Sequence, residues 1–480
     1  MKEMKFPKIS LPLLISVYIV VLFVGMWLVW YNCYYYVLLW LEGYSYYSDL
    51  PDLTQLASTF PDDIFKLAGS YLLQFYYYPV VGAAIQAAFP VVVMLCGAWM
   101  TLRLFRNPKG LLWLSLIPVS VFVGNQFWDT SIKNSVLWCV VSIALAIIVE
   151  LATIRHRQPL RLPSFLGNKV LSAVMSLSLF AVSIYNLGFK DQRNYVHHFY
   201  CQLEYLANQR QWDELLSVVT PQHAQESYIA RRYALLALNA KGLLAEKMFV
   251  YGATSDTDFL FVDRDEPLCH SFNAVLYREL GMPNEVIHHS FQEQVQANFG
   301  TSFNILRRLA ETCLETKNYP LAKKYLDILS HSTVMKHWAD ERRPKLDAIR
   351  NVKPSYEIRG EQFYTNDFLV SMGAMCDRYP QNRMYADYLL CGLLARKDGN
   401  EFYPAFQVVA SRQYANGERL PHYYEEALML IAPQEPEVLE KYNISSEVRE
   451  AFPDAMRMVK AGEIGRLKTI IPNSYWAYFF

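Results

Sequence analysis

No Gly-rich phosphate loop occurs in this sequence, nor a G-x-S-x-G elbow, nor an H-E-x-x-H helix. No C-x-x-C pair occurs among its eight cysteines, so a zinc ribbon or a thioredoxin-type centre is not expected. An excess of one charge is also missing: 45 basic residues stand against 45 acidic ones. Residues 1–190 carry 13 Lys/Arg against 8 Asp/Glu, and residues 191–480 carry 32 against 37. The slightly acidic second part lacks the basic stripe on which counterion-driven nucleic-acid binding depends, so that class is excluded. After Leu187 there is no apolar run long enough to cross a bilayer.

Before Leu187 such runs recur. Leu11 to Tyr31 is uncharged, and its 21 residues at helical rise reach ~30 Å, the hydrocarbon thickness. Lys2, Lys5 and Lys8 precede it as in a signal peptide. The following Trp30-Tyr31-Asn32-Cys33-Tyr34-Tyr35-Tyr36 has no small-x-small cleavage site, so an uncleaved anchor is expected. Further spans are expected at 80–102, 111–124, 135–154 and 170–187, with an interfacial or re-entrant helix at 64–78. The segment 111–124 is the weakest, being short and holding Pro118. With the N-terminus inside, ten basic residues flank the spans on the cytoplasmic side and three on the other. By the positive-inside rule that bias orients the chain and, with five spans, puts the C-terminal part in the periplasm. Almost nothing ionisable lies within the spans. Glu150 sits near an inner end, and Gln74 and Gln86 are uncharged, which argues against a transporter pathway.

From Asn194 onward apolar residues recur at helical spacing, and turns with Gly, Pro or Asn break the pattern every 12 to 18 residues. Phe259-Leu260-Phe261-Val262 is the best strand candidate, and Asp340–Val352 reads as a lone helix. The pattern predicts helical hairpins: Glu285 and Tyr319 open second helices 34 residues apart, the tetratricopeptide period. Other intervals are irregular, so any repeat is degenerate. The fold expected is all-α. Residues 1–190 form an N-terminal transmembrane bundle of about five spans, and residues 191–480 a degenerate tetratricopeptide-like α-solenoid. A stacked array of this kind usually offers a concave surface to partners.

Gly281-Met282-Pro283-Asn284-Glu285, Ser302–Ala310, Tyr319–Leu329, His337-Trp338-Ala339, Tyr379–Leu389 and Leu420–Leu428 carry a resemblance. The chain resembles an uncharacterised family of multi-pass membrane proteins of Bacteroidota with a C-terminal tetratricopeptide-like region. The resemblance implies an inner-membrane location in a Gram-negative cell and supplies no activity.

Candidate chemistry is sparse, and no cofactor or metal is expected. His197-His198 and His288-His289 are adjacent pairs whose side chains diverge by roughly 100° on a helix, a poor metal geometry. Asp256, Asp258, Asp263 and Asp265 alternate like a calcium loop but lack its glycine and closing glutamate. A Cys376–Cys391 disulfide is conceivable in an oxidising compartment. Asp62 and Asp63, with Asp129 available nearby, sit in outer loops where a membrane glycosyltransferase acting on lipid-linked sugars places a carboxylate. Asp62 after Phe60-Pro61 also reads as a helix cap. Two functions follow: a non-enzymatic scaffold docking an envelope protein or glycan, or an enzyme of lipid-linked glycans. The C-terminal Tyr475–Phe480 is either a segment capping the helical array or a foot on the membrane, with capping expected.

Overall fold

The computed structural model describes residues 10–49, 62–126, 131–155, 159–160, 162–188, 192–261, 267–297, 300–343, 367–414 and 418–480. Among them the secondary structure is helical, with one isolated bridge, Phe105 to Leu160, and no strand. Contacts divide the chain into two compact units. The first joins Met1–Gln202 to Ala297–Pro354, and the second joins Leu203–Gln296 to Ser355–Phe480. The expected division at 190/191 follows hydropathy, whereas the contacts place the hairpin region 297–354 with the apolar helices.

In the first unit α1 spans Leu11–Cys33. Ser10 starts it by accepting Leu13 N–H, and Pro12 lies in the first turn, where a missing N–H costs nothing. A break at Tyr34 leads into α2, Tyr35–Gly43. Next come α3, Asp62–Leu73, and a 3₁₀ turn, Gln74–Tyr77. The helix expected at 64–78 therefore starts earlier and stops before Pro79. That proline opens α4, Pro79–Leu104. After α4 lie a short turn of helix at Pro108–Leu111, a 3₁₀ turn at Leu112–Ser115, and α5, Leu116–Gln126. Then follow α6, Lys133–Arg155, and α7, Lys169–Gly188.

Four of these helices, Leu11–Cys33, Pro79–Leu104, Lys133–Ile154 and Lys169–Leu187, are long and apolar enough to span a membrane. The span expected at 111–124 is not one of them, because it is broken between the 3₁₀ turn and an α5 of 11 residues. Cross-helix contacts nevertheless give this segment a direction. Tyr18 meets Ser176 and Tyr34 meets Leu187, so α1 and α7 run parallel. Cys139 meets Phe89 and Glu150 meets Arg103, so α4 and α6 run parallel as well. Gly97 of α4 lies against Ser115 and Gln86 against Gln126, so segment 108–126 runs opposite to α4. Trp113 reaches Leu166 and Ser120 reaches Ser183, so it runs with α7. Two parallel helices consecutive in sequence need a return between them, and the broken segment supplies it. Segment 108–126 thus runs back along α4 before α6 begins. It ends at Gln126 beside Gln86, seven residues in from Pro79 and so ~10 Å short of the end of α4. Close approach near its start excludes side chains. A Cβ on Gly110 falls 2.4 Å from Gly167 O, and one on Gly97 falls 3.1 Å from Ser115 Cα.

Further helices of this unit are α8, Phe303–Glu315, α9, Tyr319–Ser330, and α10, Met335–Arg342. Ala322 is fully buried on α9, as its small size in the expected second helix of a repeat implies. The lone helix expected at 340–352 begins earlier, at Met335; residues 344–352 lie outside the described set.

The second unit consists of short helices paired in sequence, among them Pro267–Glu279 with Pro283–Gln296 and Phe368–Arg378 with Arg383–Ala395. The expected strand 259–262 is not formed. Asp256–Asp258 is a 3₁₀ turn, Phe259–Phe261 are buried, and Val262 lies outside the described residues. The C-terminal helix Tyr475–Phe479 is packed into this unit. Tyr475 and Trp476 are buried, Trp476 Nε1 donates to Glu426 O at 2.8 Å, and Tyr478 stacks on Phe249. The side chains of Tyr475 and Trp476 thus lie within this unit, as a capping segment would place them.

One turn recurs along the chain. Arg210, Gly242, Gly281, Lys317, Lys397 and Gly462 each have positive φ and stand two residues after one helix and two before the next. In every case the following N–H closes a loop back to the helix: Gln211 to Leu206, Leu243 to Leu238, Met282 to Tyr277, Asn318 to Cys313, Asp398 to Leu393 and Glu463 to Met458, at 2.7–3.0 Å. These are Schellman C-caps, which satisfy end carbonyls and favour glycine at the left-handed position. Three sites carry Arg or Lys instead, at φ 57–59°. Lys317→Gly is expected to raise the unfolding free energy by about 1 kcal/mol, and Gly281→Ala, where an added Cβ meets nothing within 4 Å, to lower it by about as much. Thermal melts of the two variants check the pair, and equal melting temperatures would contradict the turn.

Candidate functional site

The end of the bundle that holds Cys33, Pro79 and Lys133 is covered by α8–α10. The covering rests on a few polar contacts made by residues far apart in sequence. Glu42 closes α2 after the apolar Tyr35–Leu41 run, and its carboxylate receives Arg307 Nη2 of α8 at 2.8 Å. Glu42 is 1% exposed, and burial pushes its carboxyl upward against the pull of Arg307. Arg307 also donates to Asn304 Oδ1 at 2.8 Å and lies over the Tyr77 ring. Glycine at 43 is required by proximity, since a Cβ there would stand 2.3 Å from Asn304 Nδ2. Phe303 N–H donates to Ser45 O at 2.9 Å. Buried Gln74 accepts from Ser332 Oγ at 3.1 Å and from Val334 N–H at 3.3 Å. At the rim Asp49 N–H donates to His331 O, and its carboxylate meets His331 Nδ1 at 3.0 Å.

Beside His331 the outer face of α9 carries an open concavity of about 550 Å³, lined by Pro320, Lys323, Lys324, Asp327, Ile328 and His331. Asp327 is paired with Arg343 at 2.9 Å. Ammonium groups and an imidazole on an open surface suit an acidic partner surface. They form no nucleophile–base pair.

Asp62 and Asp63, the candidate catalytic carboxylates, form the first residues of α3, as the cap reading anticipates for this point in the chain. Their side chains, and Asp129 as a whole, lie outside the described residues. Gly69 of α3 abuts the Ser131 carbonyl.

In the second unit the buried carboxylates are held by structural partners. Asp387 accepts from the Tyr424 hydroxyl at 2.8 Å and meets Arg383 at 3.4 Å, with burial raising its pKa. Glu425 accepts from Ser445 N–H and Oγ, Glu426 from Tyr475 N–H, and Asp258 pairs with Arg231 at 2.9 Å. Asp256 is paired with Arg396, so the two described members of the acidic loop are engaged within the protein. Asp263 and Asp265 lie outside the described residues. Cys376 and Cys391 are free buried thiols; burial pushes the first up to about 12 and holds the second well above the ordinary thiol value, the opposite of a nucleophilic cysteine.

The adjacent histidines diverge as their helical spacing requires. His197 packs its ring on Trp40 and His198 on Tyr36, and burial lowers both pKa values. The fold does bring His270 to His289, 3.3 Å apart between Nδ1 atoms, a pairing without a signal in the sequence. Among the described residues no three His, Cys, Asp or Glu converge in a metal-binding group. The polar residues on which the first unit turns, Glu42, Arg307, Gln74 and Gln126, were not singled out as a site from the sequence. The one available signal was a lone carboxylate, Glu42, at the end of an apolar aromatic run.

No curated protein and no solved structure matches this chain. A family does match, over residues 9–182 and 130–480. The chain accordingly belongs to a family of unknown function, DUF6057.

Proposed function

We propose that this is a non-enzymatic, multi-pass inner-membrane protein whose helical hairpins serve as a docking scaffold for an envelope protein or glycan. The observation that carries this reading is how the buried polar groups are used. In the second unit the buried carboxylates described above are each bonded to a neighbouring helix or loop, and among the described residues no three His, Cys, Asp or Glu gather in a metal-binding group. The lipid-facing surface supports the membrane part: Val141, Ile148, Leu151, Val174 and Leu177 are all exposed. The one described ionisable pair in the spanning helices, Arg103 with Glu150 at 2.6 Å, is self-neutralised near a helix end and joined by Trp99.

Five passes put the chain after α7 on the side opposite the N-terminus. Arg103, Arg106, Lys109 and Lys169 gather at the end from which α7 sets out, the cytoplasmic end by charge bias. The C-terminal part is then periplasmic, and its hairpins are the tetratricopeptide-like surface presented there. Compartment-sensitive reporters fused after Tyr205 and at the C-terminus are expected to be active only as periplasmic fusions; cytoplasmic activity would overturn the orientation.

A second reading is an enzyme of lipid-linked glycans with Asp62 or Asp63 as its acidic residue, since both open α3, whose Gly69 abuts the Ser131 carbonyl. Asp63→Asn discriminates the two. Loss of the cellular phenotype at unchanged protein abundance supports the enzyme, and an unchanged phenotype supports the scaffold.

A further inference from the structure

Pro90 lies inside α4. Having no N–H, it cannot bond the carbonyl four residues back, and that carbonyl belongs to Gln86. A bare carbonyl in a bilayer-spanning helix needs another donor. It has one from segment 108–126, since Gln126 Nε2 donates to Gln86 O at 2.8 Å. The same nitrogen donates to Gln86 Oε1 at 2.6 Å, which fixes how the two amides face each other. Next to the break, Cys139 of α6 directs its thiol at Phe89 O, 3.8 Å away. Three helical segments therefore meet at one proline.

The amide pair is left half used. Gln86 is 0% exposed and Gln126 2%, yet Gln86 Nε2 and Gln126 Oε1 have no hydrogen-bond partner among the described residues. One is a donor and the other an acceptor, and both belong to the same bonded pair. Buried amide groups in native proteins are nearly always satisfied, by water where protein does not reach. No Asp, Glu, Lys, Arg or His occurs in 79–102 or 116–126, so nothing in these segments compensates an ion.

We infer that the proline break in α4 is a binding site for one neutral group that accepts a hydrogen bond from Gln86 Nε2 and donates one to Gln126 Oε1: a water or a ligand hydroxyl. This goes beyond the scaffold reading and does not depend on it.

A structure of the full-length protein in lipid, at a resolution that shows ordered waters, tests the site. Density within hydrogen-bond distance of both amide atoms supports it. An isolated round feature means water, and density that continues away from the pair means a hydroxyl-bearing molecule. Amides that bond to protein groups with no density between them overturn the inference. Gln86→Leu retains the Gln126 bond to the carbonyl and removes the free donor, so the density is expected to vanish in that variant. Gln86→Met serves if the leucine variant does not fold. Density that persists unchanged in the substituted protein also overturns the inference.

Discussion

Arg307→Ala is expected to lower the stability of the first unit by about 3–5 kcal/mol, the usual cost of leaving one member of a buried ion pair without its partner. Glu42 is 1% exposed, and the Arg307 guanidinium meets its carboxylate at 2.8 Å. Glu42→Gln costs less, because a neutral amide loses the ion pair without stranding a charge. The double replacement Glu42→Met with Arg307→Met separates Coulomb energy from packing. If the pair mainly specifies where α8 docks, the double variant recovers most of the loss of Arg307→Ala. Thermal unfolding in detergent and the protease sensitivity of residues 303–342 measure this. A double variant as unstable as the sum of the singles would show that the pair has no mutual coupling.

Trp476→Ala is the second large effect, again about 3–5 kcal/mol, now in the second unit. Trp476 is 1% exposed, packs against Phe452 and donates its indole N–H to Glu426 O. Truncation leaves a cavity of indole size and an unsatisfied carbonyl beside Glu426. The test also decides between the two readings of the aromatic C-terminus. A closing segment makes the melting temperature of the second unit fall whether or not lipid is present. A membrane foot would leave that temperature unchanged and weaken liposome binding instead. Phe480→Ala is a control of small effect, since that residue is only half-buried.

Local pattern decided a good part of this protein. The four long apolar helices were legible because crossing a bilayer is a requirement on one contiguous stretch, and hydropathy reports such stretches directly. The helix–turn–helix character of the second part was legible for a similar reason: turns at Gly242, Gly281 and Gly462 have glycine at the left-handed position. The equivalent turns at Arg210, Lys317 and Lys397 were hidden, because nothing about an arginine or lysine announces positive φ. Their geometry is imposed by the helices on either side.

Other features existed only once distant residues met. Segment 111–124 was ambiguous by length and composition, since it is short and contains Pro118. Its course follows from Gly97, Ser115, Gln86 and Gln126, contacts between separate helices. Glu42 and Arg307 are 265 residues apart, and His270 and His289 belong to two helices. Periodicity reports which face of a helix is apolar, and it holds no information about the partner that covers that face. The sequence by itself determined the element types and the apolar spans, which depend on neighbours along the chain. The docking of 303–342 with the bundle and the bond from Gln126 to the Gln86 carbonyl left free by Pro90 were decided by tertiary structure alone, because each depends on which polar group arrives from elsewhere.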